Sequence, residues 1–353
     1  MNVLIIIVRS DFGGGPRHVH QLVENLPEDI NIFMAYPEEG DPYADLWKRN
    51  KRIKGTCFIP YRKLSISTLW KLIFFVKENN IDIVHSHGNG AGLYSRLLKV
   101  FCPSLKVVHT FHGITNNYTS LLKAVANKLS GRVLSMFTDS FILVGKGELE
   151  LGAKLHILNR NKSRVIFNGI DTPSEHQVSI GDGLNIATLS RFDYQKNMDM
   201  AYEIASHFKN NSNVRFTWIG DGCDFARLKE TAEKENLNII FTGFSTEPMK
   251  HLSEANLYMS TSRFEGLPYA LVEAASMSLP VIATNVVGNN ECVEDGKTGY
   301  LFENVDEAVN IINGFLQNPS KIVEFSKNSR MFFLSNFTID KMINELLNVY
   351  KLV

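Results

Sequence analysis

Eleven short, apolar, β-rich runs separated by stretches with helical periodicity constrain this chain more than any other feature. A strand, a helix and a second strand in that order build a parallel sheet with helices on its faces. In the first half the runs lie near 3–8, 30–35, 56–59, 81–84, 106–109 and 141–144; in the second near 185–189, 214–219, 238–242, 257–260 and 281–284. The pattern predicts two parallel sheets, each covered on both faces. Between them the strand-like Val165-Ile166-Phe167 runs into Asn168-Gly169-Ile170-Asp171-Thr172-Pro173 and a polar stretch with Gly181 and Gly183, the composition of a linker. The expected organisation is a first domain over 1–165, a linker over 166–183, a second domain over 184–337 and a terminal helix over 338–353. In that helix Ile339, Met342, Ile343, Leu346, Leu347 and Tyr350 share one face, placed to cross back to the first domain.

A chain of 353 residues, 44% of them hydrophobic, buries a large core without staples. Cys57, Cys102, Cys223 and Cys292 are far apart and show no zinc-like spacing, which fits a reducing compartment. The opening apolar run lacks a basic flank and a cleavage site, and no run approaches the ~20 residues of a membrane span. The expected location is the cytoplasm, with any membrane contact peripheral. The net charge of zero is a cancellation: residues 1–165 hold 22 Lys and Arg against 13 Asp and Glu, and the rest hold 15 against 24. Such asymmetry points to a division of labour.

Several segments offer chemistry. Gly13-Gly14-Gly15-Pro16 follows the first strand and precedes a helical pattern from His18 to Leu26. It is either a cradle for a diphosphate at a helix start or a tight turn. It is neither the dinucleotide fingerprint nor a P-loop. Ser190-Arg191-Phe192-Asp193-Tyr194-Gln195-Lys196-Asn197 presents two cations at a strand end, a diphosphate clamp or a solvated basic pair. Glu265-Gly266-Leu267-Pro268 opens a helix that holds Glu273 and runs to Pro280. A helix over this stretch sets the backbones of the two glutamates ~12 Å apart, too far for both carboxylates to attend one anomeric carbon but suited to two ends of an elongated ligand. The N–H groups of Gly266 and Leu267 then offer a second phosphate site, or the pair is simply two helix glutamates. Finally, His85-Ser86-His87 and His109-Thr110-Phe111-His112 stand at predicted strand ends. Their spacing argues against zinc, and His112 is the strongest functional candidate among them. Phe241-Thr242-Gly243-Phe244-Ser245 offers the Phe244 backbone to a nucleobase edge.

Together these motifs resemble the family 4 retaining glycosyltransferases, which have the GT-B fold, two Rossmann-like doubly wound domains facing a central cleft. The likeness spans nearly the whole chain. It rests on the glycine-rich loop, T-F-H-G, F-N-G-I-D, S-R-F-x3-K-N, the E-x7-E of Glu265 and Glu273, and G-x-x-E-x-x-x-D-G-x-x-G-Y-L-F. The resemblance implies a nucleotide-sugar donor, preferentially a UDP-sugar, and a glycan or polyprenyl-diphosphate-linked acceptor in bacterial surface polysaccharide synthesis, such as O-antigen or capsule. Glu273 would bind the ribose and Glu265 the transferred sugar. Arg191 and Lys196 would hold the diphosphate with the N–H groups of Gly14, Gly15, Gly266 and Leu267, and His112 would orient the sugar. The departing diphosphate would help deprotonate the acceptor. No cofactor and no metal are expected, since fixed cations meet the leaving charge and no D-x-D occurs. Gly15-Pro16-Arg17, where many members carry an acidic residue, departs from the family pattern.

Two other readings share this architecture, a nucleotide-sugar 2-epimerase and an inactive nucleotide-sugar-binding subunit. A Rossmann oxidoreductase is disfavoured by the missing fingerprint, and nucleic acid is not an expected partner. The domains are expected to close over the donor by a hinge near 168–183. Leu121 to Leu134 reads as a basic amphipathic helix, either packed on the core or lying on an anionic membrane at the inner face of the cytoplasmic membrane.

Overall fold

The structure, a computed structural model, describes residues 1–39, 42–114, 131–174, 176–178 and 183–353. The chain divides into two compact units, Met1–Asn168 with Ile339–Val353, and Gly169–Thr338. Most of the 121–134 segment lies outside the described residues.

The first unit holds β1 (Asn2–Ile7), α1 (Gly14–Asn25), β2 (Asn31–Tyr36), α2 (Tyr43–Arg49), β3 (Ile53–Phe58), α3 (Ile66–Glu78) and β4 (Ile83–His87). Then come α4 (Gly88–Phe101), β5 (Lys106–Phe111), β6 (Ser140–Leu143), α5 (Lys146–Lys154) and β7 (Ser163–Val165). All seven strands are parallel, in the order β3-β2-β1-β4-β5-β6-β7. Strands covered on both faces read as continuous apolar runs, and β1 divides its side chains by the two-residue period of a strand. Val3, Ile5 and Ile7 join the core with Val19 and Leu22 of α1, whereas Leu4 and Ile6 join Leu72, Ile73 and Val76 of α3. Ser65 caps α3 by accepting from the Thr68 N–H at 3.3 Å.

The second unit holds β8 (Leu184–Leu189), α6 (Met198–Ser206), β9 (Val214–Ile219), α7 (Phe225–Lys234), β10 (Ile239–Gly243) and α8 (Pro248–Ser253). It continues with β11 (Leu257–Ser260), α9 (Tyr269–Ser276), β12 (Val281–Thr284), α10 (Asn289–Cys292), β13 (Gly299–Phe302), α11 (Val305–Gln317) and α12 (Ser320–Asn336). Its six parallel strands run β10-β9-β8-β11-β12-β13. The closing helix, α13 (Ile339–Leu352), belongs to the first unit, where Ile339, Met342, Ile343, Leu346, Val349 and Tyr350 are buried.

Several boundaries differ from those expected. The first helix starts at Gly14 rather than His18, because extended Gly13 is its N-cap and Arg17 N–H already bonds Gly13 O at 3.1 Å. Helix α9 starts only at Tyr269, since Pro268 is extended (φ −74°, ψ 120°), and it ends at Ser276, with Ser278 in the left-handed region. His85 and His87 lie within β4 rather than beyond it, and His109 lies within β5. Two short strands, β7 and β13, were not anticipated in full. Gly299 of β13 is required by contact, since a Cβ there would lie 1.7 Å from Val281 O.

Candidate active site

Each sheet reverses its strand order once, between β1 and β4 in the first unit and between β8 and β11 in the second. Loops leaving the carboxyl ends of strands at such a point line the crevice where open α/β sheets bind ligands.

In the second unit the loop after β8 is laced to the loop after β11. Thr261 Oγ1 donates to the carbonyls of Lys196 (3.0 Å) and Asn197 (3.1 Å), and Arg263 N–H donates to Gln195 O at 2.8 Å. The Arg263 guanidinium stacks over the Tyr194 ring, 4.4 Å from its centroid. This lacing brings together residues about 70 positions apart in sequence. Lys196 Nζ meets Glu265 Oε1 at 2.6 Å, with 16% and 6% of the two side chains exposed. Gln195 Nε2 donates to the other oxygen of Glu265 at 3.2 Å and to Phe264 O at 3.1 Å. The Gln195 carbonyl accepts from Arg191 at 3.2 Å, and Arg191 also pairs with Asp193 at 3.0 Å. Arg191, at 56% exposed, is the open end of this network. A lysine ammonium has three donors, so Lys196 can hold Glu265 and still address an anion.

Glu273 is buried on α9, one turn into the helix. Tyr258 stands between its neighbourhood and β8, its hydroxyl donating to Leu189 O at 3.0 Å. Burial, with the charges of Glu273 and Glu265 added, raises its pKa and keeps it a phenol. Because α9 begins at Tyr269, Glu265, Gly266 and Leu267 precede the helix, so the helical rise does not fix the spacing of the two carboxylates. The N–H groups expected to act as a helix start are likewise not those of Gly266 and Leu267; the first turn begins with Tyr269 and Ala270. Gly288 lies against this turn at φ +90°, and a Cβ there would stand 2.3 Å from Gly266 O and 2.9 Å from Glu265 Cβ. Phe244 follows Gly243 at the end of edge strand β10, two strands from β8, and is 57% exposed.

In the first unit the loop after β1 carries Arg9, which forms a two-pronged pair with Asp11 (2.8 and 2.6 Å). That hydrogen bonding lowers the Asp11 pKa. Gly14 and Gly15 are the first two residues of α1, where N–H groups have no acceptor within the helix, and Pro16 has none to offer. A Cβ on Gly15 would lie 3.6 Å from the His112 ring, so the glycine turn and His112 share one wall. His112 stacks on His87 (centroids 5.4 Å), with His112 Nε2 3.1 Å from His87 Nδ1, and meets His18 edge-on (4.9 Å). His18 Nδ1 bonds Asn168 Oδ1 at 3.0 Å, which makes Nδ1 the protonated nitrogen. Burial depresses all of these pKa values, His18 to about 4 and His85, His87, His109 and His112 well below the usual range, so the group is neutral near pH 7. His85 is tied to Tyr350 and Thr110, both at 2.7 Å.

Beyond His112, the Gly113 N–H donates to Glu148 Oε1 at 2.5 Å, and Val144 N–H to Glu148 Oε2 at 3.1 Å. Glu148, 1% exposed in the first turn of α5, therefore fixes the loop that presents His112. The ligand nitrogens of His18, His87 and His112 lie within 4.8 Å of one another, and buried His87 Nε2 has no hydrogen-bond partner among the described residues. These three are the residues among those described that could hold a soft divalent ion. Spacing did not suggest the set because its members come from α1, β4 and the loop after β5.

Sequence reasoning missed His18, Gln195, Asp193 and Glu148 as site residues. The first was hidden by starting α1 too late, and the next two lay inside the Arg191-to-Lys196 segment as spacers. Glu148 had one local signal, an acidic residue in the first turn of a helix. Asn168 was noticed only as part of a linker motif.

The family model described as Glycosyltransferase Family 4 matches residues 12–173, and that described as Glycosyl transferases group 1 matches residues 171–332. An Escherichia coli relative, UDP-Gal:α-D-GlcNAc-diphosphoundecaprenol α-1,3-galactosyltransferase, is 27% identical, covering 94% of this chain and 90% of its own. The poly(ribitol-phosphate) α-N-acetylglucosaminyltransferase of Staphylococcus aureus (strain COL) is 28% identical, covering 92% of this chain and 68% of its own. Among solved structures, Anabaena HepE in complex with UDP and glucose superposes with a TM-score of 0.84 at 15% identity over 100% of both chains. That last likeness is one of fold.

Proposed function

The chain belongs to the family 4 glycosyltransferases, and from that premise we propose that it transfers a sugar from a UDP-sugar with retention at the anomeric carbon and without a metal. The observation that carries the site assignment is the Lys196–Glu265 pair at 2.6 Å, held at the switch point of the second sheet with Gln195 and Arg191 around it.

In this reading Lys196 and Arg191 bind the diphosphate, Glu273 the ribose hydroxyls and the Phe244 backbone the base edge. Gly14 and Gly15 add N–H donors, and His112, neutral and stacked on His87, orients the transferred sugar. As the bond from the anomeric carbon to the diphosphate oxygen breaks, negative charge develops on the β-phosphate. Preorganised cations stabilise that charge more in the transition state than in the ground state. The acceptor hydroxyl attacks on the face the diphosphate leaves, and its proton passes to the departing oxygen. Glu265, already accepting from Lys196 and Gln195, receives sugar hydroxyls rather than acting as a nucleophile. The two cations supply the charge a divalent ion would otherwise supply, so EDTA is expected to leave turnover unchanged.

The proposed acceptor is a glycan, in particular one linked to polyprenyl diphosphate, by extension from the Escherichia coli relative named for a diphosphoundecaprenol acceptor. The chain would then work at the inner face of the cytoplasmic membrane, in contact with its surface. No described helix is long and apolar enough to cross a membrane.

Lys196→Ala is expected to lower kcat by about 10²–10³-fold, the usual loss for one donor to a developing anion. Glu273→Ala is expected to weaken donor binding, read as a smaller thermal shift with UDP-sugar. Unchanged transfer and donor affinity in both variants would refute the assignment.

A further inference from the structure

Helix α3 is apolar beyond the face it buries. Thr68, Leu69, Leu72, Ile73 and Val76 are buried against the sheet, yet Ile66, Trp70 and Phe74, spaced four apart on a stripe that starts at the edge of that face and leads away from it, are 74%, 51% and 68% exposed. Residues at i, i+4 and i+8 form one stripe, and a helix apolar beyond its core-facing side is normally covered there too. The stripe extends sideways, since the Trp70 and Phe101 rings lie 5.5 Å apart and Leu64 beside it is 49% exposed. The chain around it is mostly basic, with exposed Glu78, one turn beyond Phe74 at the end of α3, as the exception on the helix. From Leu46 to Lys77 the chain has nine Lys and Arg and no carboxylate, and from Leu46 to Thr138 its only acidic residues are Glu78 and Asp82. Arg62, Lys63, Lys71 and Lys77 are exposed at the stripe.

We propose that the outer face of α3 is a membrane-docking surface that inserts Ile66, Trp70 and Phe74 among the acyl chains of an anionic bilayer while the flanking Lys and Arg engage its headgroups. A second copy of the chain is disfavoured as the occupant, because it would bring the same basic field against itself. An anionic lipid surface is complementary to both the basic side chains and the aromatic edge. The inference deepens the proposed reading of a lipid-linked acceptor and rests on it only for its purpose, not for its geometry.

The chain carries its own reporter. Of its three tryptophans, Trp47 and Trp218 are buried at 1% and 0% exposed, so vesicle-induced emission changes report Trp70. With vesicles of equimolar phosphatidylglycerol and phosphatidylcholine, Trp70 emission is expected to shift to the blue and to be quenched by acyl-brominated lipid. Phosphatidylcholine alone should bind less, and salt should weaken binding. Ile66→Ser/Phe74→Ser, and separately Lys63→Glu/Lys71→Glu, should each reduce partitioning at least about tenfold with an unchanged Tm. Transfer to a water-soluble acceptor, read as released UDP, should persist in both; its absence in the wild type would count against the glycosyltransferase reading and leave the vesicle result standing. An unmoved Trp70 emission, equal partitioning of the variants, or a vesicle-free dimer abolished by Ile66→Ser/Phe74→Ser would overturn the proposal.

Discussion

Glu148 shows how a residue outside the recognised motifs can govern one inside them. Its carboxylate accepts from Gly113 N–H, 35 residues earlier, and from Val144 N–H, so it holds both ends of the neighbourhood that presents His112. Glutamine keeps the shape but turns one oxygen into a donor facing a donor, a mismatch costing about 1–3 kcal/mol in a buried site. Glu148→Gln should therefore lower Tm and also lower kcat, because His112 loses its position. Glu148→Asp, which keeps both acceptors on a shorter arm, should recover part of the kcat. A Tm loss with unchanged kcat would make Glu148 structural only. Compact motifs were legible at this scale as groups: Arg191, Lys196 and Glu265, picked out from a few neighbouring letters, fall into one hydrogen-bonded network, and Glu273 from the same motif is buried. Glu148, His18 and Gln195 were not, because their value lies in partners 35, 150 and 70 positions away.

At the scale of elements, the apolar runs marked most strands, since a strand buried on both faces leaves no other pattern to read. The helix starts were harder. An all-glycine turn gives no capping side chain to locate, and α1 begins four residues earlier than its amphipathic face suggests. The Glu265-to-Pro268 turn shows the reverse error: Pro268 suits a first helical position, yet it caps α9 from outside. The shape of that turn depends on α10's approach. Gly288 lies at φ +90°, and a methyl group there would press on Gly266 O and Glu265 Cβ. Gly288→Ala should cost about 1–3 kcal/mol from backbone strain alone and should also weaken donor binding by displacing Glu265. The check is Tm together with the thermal shift on adding UDP-sugar; a variant as stable as the wild type would show that the turn yields freely.

At the scale of the whole molecule, the first unit stores a pH dependence in its histidines. His18 is held at about 4, against 6.5 in an unfolded chain, by burial partly offset by Asn168. Above pH 6.5 it is neutral in both states and contributes nothing. As pH falls below 6.5 the unfolded chain takes up a proton that the folded one refuses, so stability is lost down to about pH 4. At pH 5 His18 alone accounts for about 2 kcal/mol. Burial shifts His85, His87, His109 and His112 in the same direction, which steepens the loss. Tm should fall markedly between about pH 7 and about pH 5; a flat profile would mean that the cluster opens to solvent. The zero net charge of the chain likewise resolves into parts, a basic first half with an apolar stripe on α3 and an acidic second half whose Lys196 and Arg191 are concentrated at one switch point. The reaction itself is decided by product stereochemistry. With an α-configured UDP-sugar, a polyprenyl-diphosphate-linked sugar acceptor and excess EDTA, NMR of the product should show an α-linkage with UDP released in equal amount. A β-linked product, or turnover that EDTA abolishes, would contradict retaining, metal-free transfer.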